Sequence, residues 1–163
     1  MKLYHGTNQD IESIDLSMGS QYKDFGRGFY LTPDIATAER MAKKRSRLFG
    51  GNALLIEYSF DESHLDSGAL KVLKFPEKAT VEWAHFVDRN RDRSKEPVSH
   101  DYDVICGPIA DDGVAYLLGR YHEGTTTLEE LAAGLQDKFL DQQYYFATER
   151  ALRCLIKVNV VLI

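Results

Sequence analysis

The sequence predicts an α+β fold, formed as a single domain over residues 1–163. Strand patterns and helix patterns follow one another irregularly, without the strict strand–helix–strand alternation of a doubly wound sheet. No internal repeat, low-complexity segment or linker divides the chain, and its length is that of one ordinary domain. Hydrophobic residues make up 44% and charged residues 28% of the sequence, which is typical of a globular protein with a packed core.

The first elements are two strands and a helix. Residues 2–7 (KLYHGT) form the predicted opening strand, and residues 29–32 (FYLT) a short second strand after an irregular segment. Thr32 is followed by proline, and this pair predicts a helix start, because a hydroxyl caps the first turn and proline fits the first helical position. Apolar residues at helical spacing then predict an amphipathic helix over residues 33–47, which a glycine pair ends.

The rest of the chain carries further strand and helix signals. Apolar runs, several of them with period two, predict strands at residues 53–60, 69–75, 102–107, 143–148 and 156–163. Capping residues and helical spacing predict helices from Thr80 to about residue 90, from Asp111, over 128–140 and over 149–155. The helix at 128–140 has the clearest start, since Thr127 and Glu130 form a capping box.

Composition and charge limit the classes of function. The net charge of −5 and the pI of about 5.5 argue against a nucleic-acid binder with a broad basic surface. We assign the two local basic clusters, residues 43–47 and 89–93, to solvated faces of helices or loops. Cys106 and Cys154 lie in apolar strings without redox or metal spacing, so we expect them to be reduced and buried. The five histidines show no HxH or HxxxH pairing, so we predict no metal site.

The apolar segments of the sequence also predict where in the cell the protein is located. The N-terminal residues contain no apolar segment typical of a secretory signal. The apolar stretch near the C-terminus is interrupted by Lys157 and Asn159 and is too short to span a bilayer. We therefore expect a cytoplasmic protein without a membrane partner.

Three short motifs carry the candidate site. They are LYHGT at residues 3–7, DFGRGFYLT at residues 24–32 and QQYYF at residues 142–146. A glycine after a histidine leaves its backbone N–H and C=O open to a ligand, and an aromatic ring after a glycine turn offers a flat surface for stacking. Each motif is weak evidence alone, but together and in this order they indicate a binding site.

With these motifs the chain resembles the diphtheria-toxin-like and poly(ADP-ribose)-polymerase-like ADP-ribosyltransferases, and most of all a small bacterial family described only as a domain of unknown function. The similarity extends to residues 102–112 and 143–155, so it covers nearly the whole chain. It implies a split, mostly antiparallel sheet with flanking helices, in which the three motif strands line one cleft. It also implies that NAD is the substrate bound in that cleft.

The resemblance assigns roles to individual residues. His5, Tyr30 and Gln143 are the implied catalytic residues, in which His5 holds the ribose next to the nicotinamide and Tyr30 stacks on the nicotinamide ring. The implied NAD-binding residues are His5, Gly6, Thr7, Gly28, Phe29 and Tyr30. Among these, Gly6 holds the carboxamide and Thr7 helps to hold the adenosine side.

Gln143 stands where many active members of this superfamily have a glutamate. Breaking the bond between nicotinamide and ribose builds positive charge on the sugar, which a carboxylate stabilises far better than a neutral amide. Replacing Gln143 by glutamate is therefore expected to raise NAD hydrolysis. Glu149 is a candidate substitute carboxylate, but we expect it to lie at a helix start. Three outcomes stay open: a slower mono-transferase, a different acceptor group, or an NAD-binding domain with little activity.

The expected function is an NAD-dependent mono-ADP-ribosyltransferase that modifies an unidentified macromolecular target. The resemblance implies a bacterial toxin module whose partner is an antitoxin protein. Two alternatives stay open: an NAD glycohydrolase that uses water as the acceptor, and an NAD-binding or interaction domain that has lost most of its activity.

Overall fold

The computed structural model describes residues 1–136 and 138–163, and it confirms the α+β fold. The strands of the described residues are β1 (Lys2–Thr7), β2 (Phe29–Leu31), β3 (Leu54–Phe60), β4 (Val72–Lys74), β5 (Val104–Pro108), β6 (Gln142–Phe146) and β7 (Leu155–Leu162). The α-helices are α1 (Ile35–Phe49), α2 (Val81–Arg91), α3 (Asp112–His122), α4 (Leu128–Leu135) and α5 (Glu149–Leu152).

The strands form two sheets that meet at one bridge, as expected for a split sheet. The first sheet has the order β1-β3-β7 and is antiparallel, whereas the second has the order β2-β6-β5-β4 and contains one parallel pair, β4 with β5. The Tyr4 N–H donates to the Thr32 carbonyl at 2.8 Å, and the Thr32 N–H donates to the Tyr4 carbonyl at 3.0 Å. Strand pairing between β1 and β2 does not extend beyond this bridge, which creates the split.

Two hydrophobic clusters lie on opposite faces of the second sheet. The first cluster joins both sheets and includes Phe29 and Phe146, whereas the second joins the sheet to α2, α3 and α4 and includes Tyr145. Adjacent side chains of a strand point to opposite faces. Phe29 and Tyr30 on β2 therefore belong to different clusters, which decides what each can contact.

Helix α1 begins later than the sequence predicts. Thr32 still has strand-like hydrogen bonds to Tyr4, so the helix N-cap is Asp34, whose carboxylate accepts from the Thr37 N–H at 2.9 Å. Thr32 stabilises the turn before the helix, because its hydroxyl accepts from the Asp34 N–H at 3.2 Å. A negative charge at Asp34 also suits the positive end of the helix dipole.

The other helix starts follow the sequence. Thr80, Asp111 and Thr127 cap α2, α3 and α4, and both bonds of the predicted capping box are present. Helix α4 ends at Leu135, before the predicted residue 140, and Asp137 within that predicted segment lies outside the described residues.

The observed ends of several elements differ from the ends that the sequence predicts. Helix α5 ends at Leu152 because the chain returns at Leu155 to pair with β3, and β4 is limited to the residues that pair with β5. Cys106 and Cys154 are free, as expected, but they are half-buried and not fully buried. Within the described ranges, none of the helices has the length and apolar character needed to cross a membrane.

Candidate functional site

His5 lies across the gap between β1 and β2. Its Nδ1 is 2.8 Å from the Tyr30 carbonyl oxygen, and its ring stacks on Phe29 with a centroid distance of 4.6 Å. A carbonyl oxygen can only accept, so Nδ1 carries the proton and Nε2 is left with its lone pair. His5 therefore presents a hydrogen-bond acceptor at the split.

The charge state of His5 is set by its surroundings. The pKa of His5 is lowered from 6.5 to about 4, mainly by burial; the hydrogen bond to the Tyr30 carbonyl opposes this shift, and the positive charges of Lys23 and Arg45 add to it. The imidazole is neutral at physiological pH, which is the form that accepts from a hydroxyl group.

Gly6 is held between helix α1 and the split. A Cβ atom at Gly6 would lie 1.9 Å from the Ala38 carbonyl oxygen and 2.7 Å from the Ala42 nitrogen, so the helix backbone requires glycine here. Tyr4 directs its backbone groups toward β2, and alternation along an antiparallel strand makes Gly6 do the same. The backbone of Gly6 thus faces the split, whereas the buried Thr7 accepts at its hydroxyl from the Gln9 N–H at 3.4 Å.

Tyr30 is fixed by the glycine loop before it. Its hydroxyl donates to the Gly26 carbonyl at 2.7 Å and accepts from the Phe25 N–H at 3.0 Å, and its ring lies 5.0 Å from that of Tyr145. Burial raises the pKa of Tyr30, so the hydroxyl stays protonated. The hydroxyl is a structural contact of the loop, while the ring is half-buried.

The two glycines of the loop have separate structural causes. Gly26 has a φ of +93°, a conformation that side chains disfavour. A Cβ atom at Gly28 would lie 2.2 Å from the Tyr145 ring. Phe29 is buried beneath His5, so it reaches the split through the imidazole and not directly.

Gln143 points into a buried polar network. Its side-chain nitrogen donates to the Asp24 carboxylate at 2.8 Å and to the Pro108 carbonyl at 2.9 Å, and only 6% of the residue is exposed. Both partners can only accept, so the chemistry fixes which end of the amide is nitrogen. Among the described residues, none donates to the amide oxygen Oε1.

Asp24 and Arg91 are the site residues that sequence reasoning missed. The Asp24 carboxylate accepts from Arg91 Nε at 2.7 Å and from the Ala110 N–H at 3.0 Å, and Arg91 also donates to the Ala110 carbonyl at 3.2 Å. The assignment of residues 89–93 to a solvated face is therefore wrong for Arg91. No local signal marked this pair, because Asp24 lies two residues before Gly26 in the DFG triplet and Arg91 lies far away in sequence, at the end of α2.

The structure brings the three predicted catalytic residues to one region, but not onto one face. Tyr30 pairs with Tyr145, and Gln143 lies two residues from Tyr145, so Tyr30 and Gln143 share a face of the second sheet. His5 approaches from the other face, on Phe29, and contacts only the backbone of Tyr30. The expected cleft is thus a gap at the edge of β2.

The two alternatives to Gln143 lie elsewhere. Gln142 donates to the Glu77 carbonyl at 2.9 Å and the Leu140 carbonyl at 3.1 Å, on the opposite side of β6. Glu149 lies at a helix start, as the sequence predicts; it is exposed in the first turn of α5, and Thr148 caps that helix. The side chain of neither residue belongs to the buried polar network of Asp24, Arg91, Ala110, Pro108 and Gln143, which we call the Asp24 network.

Fold and site together define an α+β protein with a polar site where a split sheet opens. The chain belongs to the family described as "Protein of unknown function (DUF3990)", whose model matches residues 1–156. This agrees with the expected kinship to a small family without an assigned function. No curated protein and no solved structure matches the chain.

Proposed function

We propose that the protein is an NAD-dependent mono-ADP-ribosyltransferase that acts on a macromolecular target. The observation that carries this proposal is the pairing, at the split, of a neutral His5, whose Nε2 has no hydrogen-bond partner among the described residues, with the backbone of Gly6, which faces the split. An acceptor for a sugar hydroxyl and a donor–acceptor pair for a carboxamide are the groups that the nicotinamide riboside half of NAD requires.

In the proposed reaction, the bond between nicotinamide and the ribose C1′ breaks and its electron pair leaves with nicotinamide. A nucleophile of the target then bonds to C1′ and loses its proton. His5 and Gly6 orient the sugar and the carboxamide, and Gln143 Oε1 accepts from a ribose hydroxyl as positive charge develops. Such contacts accelerate the reaction where they strengthen in the transition state.

The Asp24 network supports Gln143 in this role. Because both amide hydrogens are committed to Asp24 and Pro108, the oxygen has one fixed orientation and needs no reorganisation when a hydroxyl approaches. An amide cannot remove a proton from the acceptor group, so we infer a target nucleophile that ionises readily or is activated by the target itself.

A second candidate is an NAD glycohydrolase, or an NAD-binding domain with little activity. The neutral Gln143 and the pairing of the nearby Asp24 carboxylate with Arg91 favour the binding domain with little activity, because neither group is free to act as a base toward water. The toxin role and an antitoxin partner are further parts of the proposal and derive from the family resemblance. The cytoplasmic location expected from the sequence is also part of the proposal.

The test is incubation with NAD labelled in its adenylate half, with and without total bacterial extract. We expect equal amounts of released nicotinamide and of label bound to macromolecules. Released nicotinamide without bound label would identify a glycohydrolase, and binding without release a binding domain. Absence of NAD binding by calorimetry would refute the proposal. We expect Gln143→Ala to lower turnover much more than NAD affinity. Gln142→Ala is its control, because the two side chains lie on opposite sides of β6.

A further inference from the structure

Two basic side chains border the split from opposite sides. Lys23 lies over Tyr30, with its Nζ 5.0 Å from the ring centroid. Arg45 projects from α1, the helix whose Ala38 and Ala42 cover Gly6, and three residues after Ala42 it lies on the same helix face. Lys23 thus stands on the β2 side of the split and Arg45 on the β1 side.

Neither cation has an acidic partner among residues 1–136 and 138–163. The Arg45 Nε is buried without any hydrogen-bond acceptor, which is costly for a charged group. The carboxylate next in sequence to Lys23 is that of Asp24, and its oxygens are taken by Arg91, the Ala110 N–H and Gln143. The two cations therefore lack an ion-pair partner among the described residues, although the charge of Asp24 partly offsets that of Lys23 and the Arg45 guanidinium lies 5.4 Å from the Phe49 ring centroid.

The positive charges of Lys23 and Arg45 influence the pKa values of groups at the split. Burial lowers the pKa of Lys23 and the charge of Arg45 lowers it further, although much of the Lys23 side chain is exposed. The same two charges act on the His5 imidazole. An anion placed between them would relieve this repulsion and satisfy the buried Arg45 donor.

We propose that Lys23 and Arg45 form a subsite for a diphosphate group beside His5. The inference rests on the proposed function, since the diphosphate of NAD is attached to the ribose that His5 would hold. A diphosphate carries at least two negative charges and has several acceptor oxygens, which matches one ammonium and one guanidinium with a free Nε.

The N-terminus of α1 does not offer an alternative anion site. Asp34 caps it, and its carboxylate accepts from both the N–H and the hydroxyl of Thr37. A second anion there would face a fixed negative charge. Lys44 and Arg47 lie on the exposed side of α1 and supply a charge-matched control.

The test measures binding of inorganic pyrophosphate and of ADP by calorimetry at low ionic strength. We expect the Lys23→Gln/Arg45→Gln variant to bind both probes roughly tenfold or more weakly than the wild type. Lys44→Gln/Arg47→Gln, which changes the net charge equally, should stay within about twofold. Thermal unfolding checks that each variant is folded. If the double variant does not fold, Lys23→Gln alone tests the subsite, because the Lys23 side chain is exposed.

The outcomes separate the subsite from the proposed reaction. Equal weakening in both double variants, or no binding of either probe to the wild type, would overturn the subsite. NAD turnover with unchanged NAD affinity in Lys23→Gln/Arg45→Gln would overturn it too and leave the proposed function standing. Pyrophosphate binding that depends on Lys23 and Arg45, in a protein that neither binds nor consumes NAD, would support the subsite and refute the function.

Discussion

Gln143 fits its surroundings in a way that a glutamate would not. Its two amide hydrogens face the Asp24 carboxylate and the Pro108 carbonyl, and both of these groups only accept. A carboxylate at this position would face another carboxylate and leave the carbonyl without a donor. The structure therefore adds a second expectation for Gln143→Glu, a loss of stability, to the faster NAD hydrolysis expected from the sequence.

We expect Gln143→Glu to lower the free energy of unfolding by about 1–3 kcal/mol at pH 8. The deficit should shrink near pH 5, because the charge of Asp24 raises the pKa of the introduced carboxyl and its protonated form can donate one hydrogen bond. Urea unfolding of the variant and the wild type at both pH values measures the difference. Gln142→Glu, on the other side of β6, is the control, and a deficit that does not depend on pH would contradict this explanation.

The hydroxyl of Tyr30 provides a second test at the residue scale. Tyr30→Phe removes two hydrogen bonds that hold the glycine loop and should destabilise the fold by about 1–2 kcal/mol. Tyr58→Phe is the matched control, because the buried Tyr58 hydroxyl has no partner among the described residues. Denaturant unfolding of both variants should show a loss at Tyr30 alone. Equal effects would mean that the loop contacts of Tyr30 contribute little.

The lowered pKa of His5 predicts that the free energy of unfolding depends on pH. The unfolded chain takes up a proton at His5 near pH 6.5, whereas burial lowers the pKa in the folded protein to about 4. The contribution is complete above pH 6.5 and decreases by about 3 kcal/mol as the pH falls to 4, because the unfolded state binds the proton more tightly. The difference in unfolding free energy between wild type and His5→Gln, measured across this range, should follow this course. An NMR titration of His5 with a midpoint near 6.5 would refute it.

At the scale of elements, the close approach of α1 to β1 depends on Gly6. Gly6→Ala would place Cβ against helix backbone, which cannot move without shifting α1, so we expect a loss of at least about 3 kcal/mol. Gly119→Ala on the exposed face of α3 has open space and should stabilise by about 0.5–1 kcal/mol. Melting temperatures of the two variants should move in opposite directions. A Gly6→Ala protein as stable as the wild type would exclude so close a contact between α1 and β1.

The capped starts of α2, α3 and α4 were predictable from the sequence, whereas the start of α1 and several element ends were not. The caps at Thr80, Asp111 and Thr127 are local hydrogen-bond signals, so they can be read without the fold. Asp34 replaced Thr32 as the cap of α1 because the bridge to Tyr4 keeps Thr32 extended. The ends of β4 and α5 depend on strand pairing with distant segments, which no local pattern encodes.

At the scale of the whole molecule, the motifs predicted which strands meet, but not how their side chains are used. His5, Tyr30 and Gln143 were expected to line one wall of a cleft. Phe29 and Tyr30 point to opposite faces of β2, and His5 stacks on Phe29, so His5 lies on the face opposite Tyr30 and Gln143. The Asp24 network joins four segments that are far apart in sequence. Its members could not be recognised before the fold was known, because hydrogen-bond complementarity appears only when the segments are assembled.

The pairing of β2 with β6 has a consequence for how the protein forms during synthesis. Asp24 and its partner Gln143 are separated by 119 residues, so the ribosome makes the glycine loop long before the strand that completes it. Contacts this distant in sequence form slowly, since a long loop must close first. The split and its polar network therefore assemble late, and a nascent chain that ends before β6 has no complete site.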